Sequence, residues 1–212
     1  MMYLLIATGL LVASVQGGCP QALLSPDEQE DFVSRGGYQK AVVATVSSFK
    51  QRFVSWSKSY QVRDDDVVVF DIDETLLSNI SYLRQVHYKP TTEGFYAYLS
   101  SAKAVEIPEV VALMRWLQTS GYGVVLLTGR PARFYDITKQ QLQSIGLLKG
   151  RVELYCNNTD LKTVAYKKHI FEQLKLQNRR VIMHATDQCA EVWPGQSKWV
   201  LRLPNPFYQV AS

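Results

Sequence analysis

The chain has 212 residues, 47% hydrophobic and 20% charged, with a formal net charge of +4. That length suits one domain with a small appendage and buries a full core without staples. The charge is mild, and Lys and Arg are scattered with no basic run, which argues against a nucleic-acid binder and allows at most small anionic ligands.

Residues 1–15 carry no charge and are rich in Leu, Ile, Val and Ala. The stretch is too short to span a membrane but suits the apolar core of a signal peptide, with Ser14, Gly17 and Gly18 as a cleavage zone. Residues 1–18 therefore read as a signal peptide and 19–212 as the mature domain; the competing reading is a buried N-terminal element. Nothing else is apolar enough to cross a membrane, so stable membrane insertion is not expected. Gln16, not Leu, stands three residues before Cys19, which argues against lipid attachment there. Cys19, Cys156 and Cys189 allow one disulfide and one free thiol, and no C-x-x-C spacing supports a structural zinc.

Ser25-Pro26-Asp27-Glu28 is a helix start, with Ser as N-cap, Pro in the first turn and acids behind it. After Gly36-Gly37 a second helix is predicted over about 38–60. Its stripe of Val42, Val46, Phe49, Phe53 and Trp56 faces a core or a partner, so a homodimer stays open. Val67-Val68-Val69-Phe70 is a short β-branched run that reads as a strand buried on both faces. Further strands are predicted within 121–128, at 152–155, at 181–183 and at 199–201. Helices are predicted between them over 108–120, 131–145 and about 161–176. Buried strands alternating with helices give an α/β doubly wound parallel sheet, with an N-terminal helical extension. In such sheets ligands bind beyond the carboxyl ends of the strands.

The first strand runs directly into Asp71-Ile72-Asp73-Glu74-Thr75-Leu76-Leu77. Burying two such carboxylates unpaired costs several kcal/mol by the usual order of magnitude, so a cation is expected beside them. An all-oxygen ligand set suits Mg2+. The bland alternative is a solvated loop, as the preceding Asp64-Asp65-Asp66 illustrates. Thr128-Gly129-Arg130 ends the second strand as a small anion cradle. Tyr166-Lys167-Lys168 lies on the helix after the third strand, and Thr186-Asp187 through Glu191 follows the fourth. Acid, hydroxyl, lysine and acid thus arrive in order at successive strand ends.

At these residues the chain resembles the haloacid dehalogenase (HAD) superfamily, specifically its secreted acid phosphatases, which include plant vegetative storage proteins and bacterial lipoprotein-type enzymes. The resemblance covers about 67–208. It rests on Asp71 through Asn79, on Leu127-Thr128-Gly129-Arg130 with Thr138 and Leu142, on Tyr166-Lys167, on Asp187-Gln188, and on the ending Leu203-Pro204-Asn205-Pro206-Phe207-Tyr208. The chain departs from the family in having Thr186 for Gly, Cys189 for Trp and Glu191 for Asp. The resemblance implies a HAD-like fold with a small helical cap insert at about 78–103. It also implies Mg2+-dependent hydrolysis of small phosphate monoesters through an aspartyl-phosphate on Asp71. Asp73 would be the acid and then the base. Asp71, the Asp73 main-chain carbonyl and Asp187 would hold Mg2+, with Glu191 in support. Thr128, Gly129 and Lys167 would hold the phosphoryl oxygens. Lys168 reads as the solvated neighbour.

His184 reads as a packed core histidine, and His87 as an insert residue with no assigned role. Tyr82, Tyr88, Phe95 and Tyr96 form either an apolar wall or ordinary packing of the insert. Strands one and two are expected to lie between three and four, about 14 Å across, which places Cys156 and Cys189 too far apart to bridge. Asn79-Ile80-Ser81 and Asn157-Asn158-Thr159 are both glycan acceptor patterns; Asn157 is expected to be used and Asn79 not. The expected location is secreted, or vacuolar, endolysosomal or periplasmic according to the host. Competing functions are a non-catalytic storage or binding protein, a phosphotransferase and a dehalogenase.

Overall fold

A computed structural model describes residues 23–101 and 105–210. The signal peptide read at 1–18 and Cys19 lie outside the described residues. Twelve elements follow in order: α1 (Pro26–Ser34), α2 (Gly37–Ser57), β1 (Asp66–Phe70), α3 (Ile80–Gln85), α4 (Thr92–Ser101), α5 (Pro108–Thr119), β2 (Gly123–Pro131), α6 (Tyr135–Ser144), β3 (Val152–Asn157), α7 (Thr163–Leu176), β4 (Arg180–Thr186) and β5 (Trp199–Arg202). The α1 start is the capping box its sequence promises: Glu28 accepts from the Ser25 N–H at 2.8 Å while the Ser25 side chain accepts from the Glu28 N–H.

The five strands form one sheet in the order β3-β2-β1-β4-β5, with every pair parallel. β1 is central and every one of its residues is buried. Because side chains alternate across a strand, Val68 and Phe70 enter a large core with α2 and α5, while Val67 and Val69 enter a smaller one with Tyr166, Ile170, Phe171 and Leu174 of α7. Both faces are thus covered, as the unbroken β-branched run requires. The chain turns outward from β1 through β2 to β3, then returns to the other side of β1 for β4. The carboxyl end of β1 is therefore the switch point of the sheet, where a crevice opens.

The predicted helix from 131 begins later. β2 continues to Pro131, with a shift in its register against β3 between Thr128 and Pro131, and α6 starts at Tyr135 after one tight turn. The residue before a proline is held extended, so Arg130 stays in the strand. Helices α3 and α4 fill the insert after β1. Cys156 is free and buried, and Cys189 is disulfide-bonded, so the two do not bridge each other.

Candidate active site

Asp71 is the first residue past β1, and its N–H donates to the Ala185 carbonyl at 2.9 Å, which continues the pairing with β4. Its carboxylate is buried and lies 2.7 Å from Lys167 Nζ. Burial pushes the Asp71 carboxyl well above the usual range, against the pull of Lys167, and Glu191 and Asp187 push it further. Lys167 projects from α7 and is itself 1% exposed, whereas Lys168 faces solvent. Burial works against its charge, but Asp71 and Glu191 outweigh burial and hold Lys167 above the ordinary lysine range. Glu191 is 2.7 Å from Lys167 and also accepts from the Thr186 hydroxyl at 2.6 Å. Two of the three departures noted above, Thr186 and Glu191, therefore touch each other.

Asp73 faces the other way. Arg130 grips it with two donors, Nε to Oδ2 at 2.9 Å and Nη2 to Oδ1 at 2.6 Å, and the Asn79 amide donates to Oδ1 at 2.8 Å. Burial alone would raise the Asp73 carboxyl; Arg130 outweighs it and brings the group below its ordinary value. Arg130 is in turn fixed by the Thr138 hydroxyl at 3.1 Å and the Gln141 carbonyl at 2.8 Å, both from α6. Thr128 is buried beside Asp73, with its hydroxyl accepting from the Arg130 N–H at 3.2 Å. Gly129 closes this cradle. A Cβ there would lie 2.4 Å from Thr163 at the start of α7, so the approach of α7 to the β2 end requires glycine.

Glu74 has a left-handed backbone (φ 50°) and no exposure. It accepts from the Asn79 N–H at 2.6 Å and the Tyr208 hydroxyl at 2.6 Å. Burial, then the Asp73 charge, pushes its carboxyl up to about 7. Asp187, past β4, is likewise raised to about 7, by burial and then by Glu191. Its Oδ2 accepts from Gln188 at 2.6 Å and Asn205 at 2.5 Å, while its Oδ1 is buried with no hydrogen-bond partner.

The carboxyls of Asp71, Asp73, Glu74, Asp187 and Glu191 thus outnumber Lys167 and Arg130, and three of them are raised, by burial first and by neighbouring carboxylates after it. An unsatisfied, dry carboxylate oxygen amid uncompensated acids fits a divalent cation. Among the described residues no three His, Cys, Asp or Glu side chains are placed to hold a metal ion.

All the residues proposed from the sequence border one cleft of about 360 Å³: Asp71, Asp73, Thr128, Gly129, Lys167, Asp187 and Glu191. Tyr82, Phe95 and Tyr96 of the insert line its far wall, while Tyr88 packs instead on Phe207. His87 takes no part in that lining. His184 is buried against Phe171 with its Nδ1 beside the Gln196 amide, and burial brings it down to about 3. The sequence assigned no role to Glu74, Asn205 or Tyr208, and it did not foresee the contacts of Arg130 and Asn79 with Asp73. Their places inside the quoted motifs were the available signal.

Over residues 22–211 the chain matches the family described as HAD superfamily, subfamily IIIB (Acid phosphatase). It is 28% identical over 164 residues to Vegetative storage protein 1 of Arabidopsis thaliana, covering 74% of this chain and 61% of that protein. It is 24% identical over 193 residues to Acid phosphatase 1 of Solanum lycopersicum, covering 87% and 76%. The chain spans about three fifths of the length of the two Arabidopsis vegetative storage proteins it matches, 61% and 62%. In fold it is similar to the class C acid phosphatase from Bacillus anthracis, with a TM-score of 0.67, 16% identity and coverage of 87% and 86%.

Proposed function

The chain belongs to subfamily IIIB of the HAD superfamily, the acid phosphatases, and from that premise we propose that it hydrolyses small phosphate monoesters through a phosphoryl group carried on Asp71. The observation that carries the reading is the buried Asp71–Lys167–Glu191 cluster at the switch point of the sheet, with Lys167 Nζ 2.7 Å from Asp71.

A substrate phosphate entering between Thr128, Gly129 and Lys167 meets a hydroxyl, a close-packed main chain and a fixed cation. An Asp71 oxygen attacks phosphorus, the bond from phosphorus to the ester oxygen breaks, and the Asp73 carboxyl gives its proton to the departing alkoxide. In the second half, Asp73 takes a proton from water, the water oxygen attacks phosphorus, and the bond to Asp71 breaks to release inorganic phosphate. Asp73 must hold a proton for the first half, yet Arg130 favours its ionised form. Acidic solution fills the donor form, so substrates with poor leaving groups depend most on low pH. Mg2+, held by Asp71, the Asp73 main-chain carbonyl and Asp187, would neutralise charge gathered between phosphate and carboxylates. Glu191 orients Lys167. The aromatic wall of Tyr82, Phe95 and Tyr96 offers the ester group an apolar surface.

Storage is the second reading, favoured by the likeness to the vegetative storage proteins. It gives no reason to keep uncompensated carboxyls buried around Asp71, which lowers stability and has a use only in chemistry. Residues 1–18 are read as a signal peptide, and the mature chain as exported. No described helix is long and apolar enough to cross a membrane. The test is turnover of a panel of phosphate monoesters from pH 4 to 8 by the parent protein and by Asp71→Asn, with Mg2+ or with chelator. Turnover that needs both Asp71 and a divalent ion supports the reading; equal activity in Asp71→Asn, or in excess chelator, overturns it.

A further inference from the structure

Residues 203–210 follow the last strand, bring Tyr208 and Val210 to the wall of the cleft, and are bound to the acidic centre along most of their length. The Leu203 N–H donates to the Thr186 carbonyl at 2.9 Å, so pairing with β4 continues past the end of β5. Asn205 is then 2% exposed. Its amide donates to Asp187 Oδ2 at 2.5 Å, while its carbonyl accepts from the N–H groups of Phe207 and Tyr208 at 2.9 and 3.3 Å. That turn bends the chain back over the site. The Tyr208 hydroxyl donates to Glu74 at 2.6 Å, and the Val210 N–H to Gln188 at 2.8 Å, whose own amide donates to Asp187 Oδ2.

The outer side of the segment is equally fixed. Phe207 packs on Tyr38 of α2 at 5.2 Å between ring centres and on Tyr88 of the insert at 6.0 Å. The Pro206 carbonyl accepts from Leu24 at 3.2 Å. The segment thus joins the N-terminal helices and the insert to the ends of both β1 and β4.

We propose that residues 203–210 are a positioning strap for the two acids that act at different strand ends, with Asn205 serving Asp187 and Tyr208 serving Asp73. The proposal rests on the phosphatase reading above. Asn205 and Gln188 both bind Asp187 Oδ2, which leaves the buried and unpartnered Oδ1 as the atom available to a cation. Tyr208 reaches Asp73 in two steps. It holds Glu74 Oε2, and the Asn79 amide bridges that oxygen at 3.1 Å and Asp73 Oδ1 at 2.8 Å. A carboxylate held by such outer partners loses less freedom on binding a metal or substrate, which is why removing outer partners weakens a site without touching its ligands.

The test uses the full chain and three variants: Asn205→Ala, Tyr208→Phe and Phe207→Leu. Thermal melts are titrated with Mg2+ alone, and kcat and KM are then read on an aryl phosphate at saturating Mg2+. Asn205→Ala should need about tenfold or more Mg2+ for half of the melting shift, with KM little changed. Tyr208→Phe should keep the Mg2+ midpoint and lose about tenfold in kcat, the effect of one hydrogen bond to a charged network. Phe207→Leu, which loosens packing without removing a polar contact, should lower the melting temperature and leave the Mg2+ midpoint in place. The strap is overturned if Asn205→Ala titrates as the parent does and Tyr208→Phe keeps full kcat. It is also overturned if Phe207→Leu shifts the Mg2+ midpoint as far as Asn205→Ala, since packing alone would then explain both. Tyr208→Phe keeps the ring and decides the matter where Asn205→Ala does not fold. A parent that turns over phosphate monoesters and responds to Mg2+ while the variants match it refutes the strap alone. A parent that neither responds to Mg2+ nor turns over refutes the functional reading with it.

Discussion

Replacing Lys167 by methionine removes the charge at the centre of the site while nearly keeping the length and volume of the side chain. Lys167 Nζ lies 2.7 Å from both Asp71 and Glu191. Without it two buried carboxyls face each other, with Asp187 close enough to raise Asp71 as well. Removing one partner of a buried ion pair costs on the order of 3–5 kcal/mol. The loss depends on pH, because an uncompensated carboxyl can take up a proton instead. The Asp71 carboxyl is already raised in the folded state, and losing Lys167 raises it further. A raised folded pKa gives stability that is present in full below the unfolded value, near pH 4 for a carboxyl, and lost as pH rises through the folded value. Lys167→Met should therefore trail the parent by about 3–5 kcal/mol at pH 8 and approach it near pH 4. The assay is urea unfolding in chelator at pH 4, 6 and 8, paired with initial rates in Mg2+. Turnover should fall by at least about a hundredfold, the usual cost of losing a fixed group that stabilises developing charge. A loss of stability equal at all three pH values, or no loss at pH 8, would refute the argument from uncompensated carboxyls.

Three further outcomes are expected. His184 is held down to about 3, so the folded state keeps it neutral; its contribution is full above about pH 6.5 and falls by about 1.4 kcal/mol per pH unit below that, levelling off near pH 3. His184→Asn, which keeps an acceptor near the Gln196 amide, should flatten the stability profile between pH 6 and 4 relative to the parent, and an unchanged slope in urea unfolding counts against the assignment. Asp73→Asn should lower kcat/KM, which reports the first half-reaction, much more for alkyl than for aryl phosphates, because a good leaving group needs less protonation; an equal fall in kcat/KM across a leaving-group series rejects Asp73 as the acid. Asn79 is 5% exposed with its amide donating to Asp73 and Glu74, whereas Asn157 sits at the end of β3 with its side chain turned to Thr159 and Leu161. In a glycosylating host, glycopeptide mass spectrometry should find glycan on Asn157 and none on Asn79; glycan on Asn79 in active protein contradicts the site.

The sheet was legible because its strands are short β-branched runs that survive only when both faces are covered, and Asp71, Thr128 and Asp187 follow from where those runs end, whereas Lys167 was preferred to Lys168 only by the Tyr-Lys likeness to the family. Alternation of strands and helices fixes a parallel sheet but not its strand order, which came with the family likeness. What local pattern could not show was which charge meets which. Arg130 read as part of an anion cradle, yet its side chain crosses from β2 to grip Asp73, a contact 57 residues apart in sequence. Asn79 matched a glycan acceptor pattern expected to stay unused because it lies in the first motif, but its contacts with Asp73 and Glu74 show only in the folded chain. The ending Leu203 to Tyr208 was visible as a family likeness, but its hold on Asp187 and Glu74 depends on long-range packing. The α6 boundary moved from 131 to Tyr135 because a bulged strand end, which has no period of its own, carried the chain onward to Pro131.

The central claim is that Asp71 carries the phosphoryl group between the two half-reactions. Asp73→Asn slows the second half by removing the base, so mixing this variant with an aryl phosphate and Mg2+ and quenching in acid should trap the intermediate. Peptide mass spectrometry is then expected to find one phosphoryl group on the peptide containing Asp71, removable by hydroxylamine, and none when Asp71→Asn is added to the same chain. A phosphoryl group on any other residue, or measurable turnover in protein lacking the Asp71 carboxylate, would contradict it.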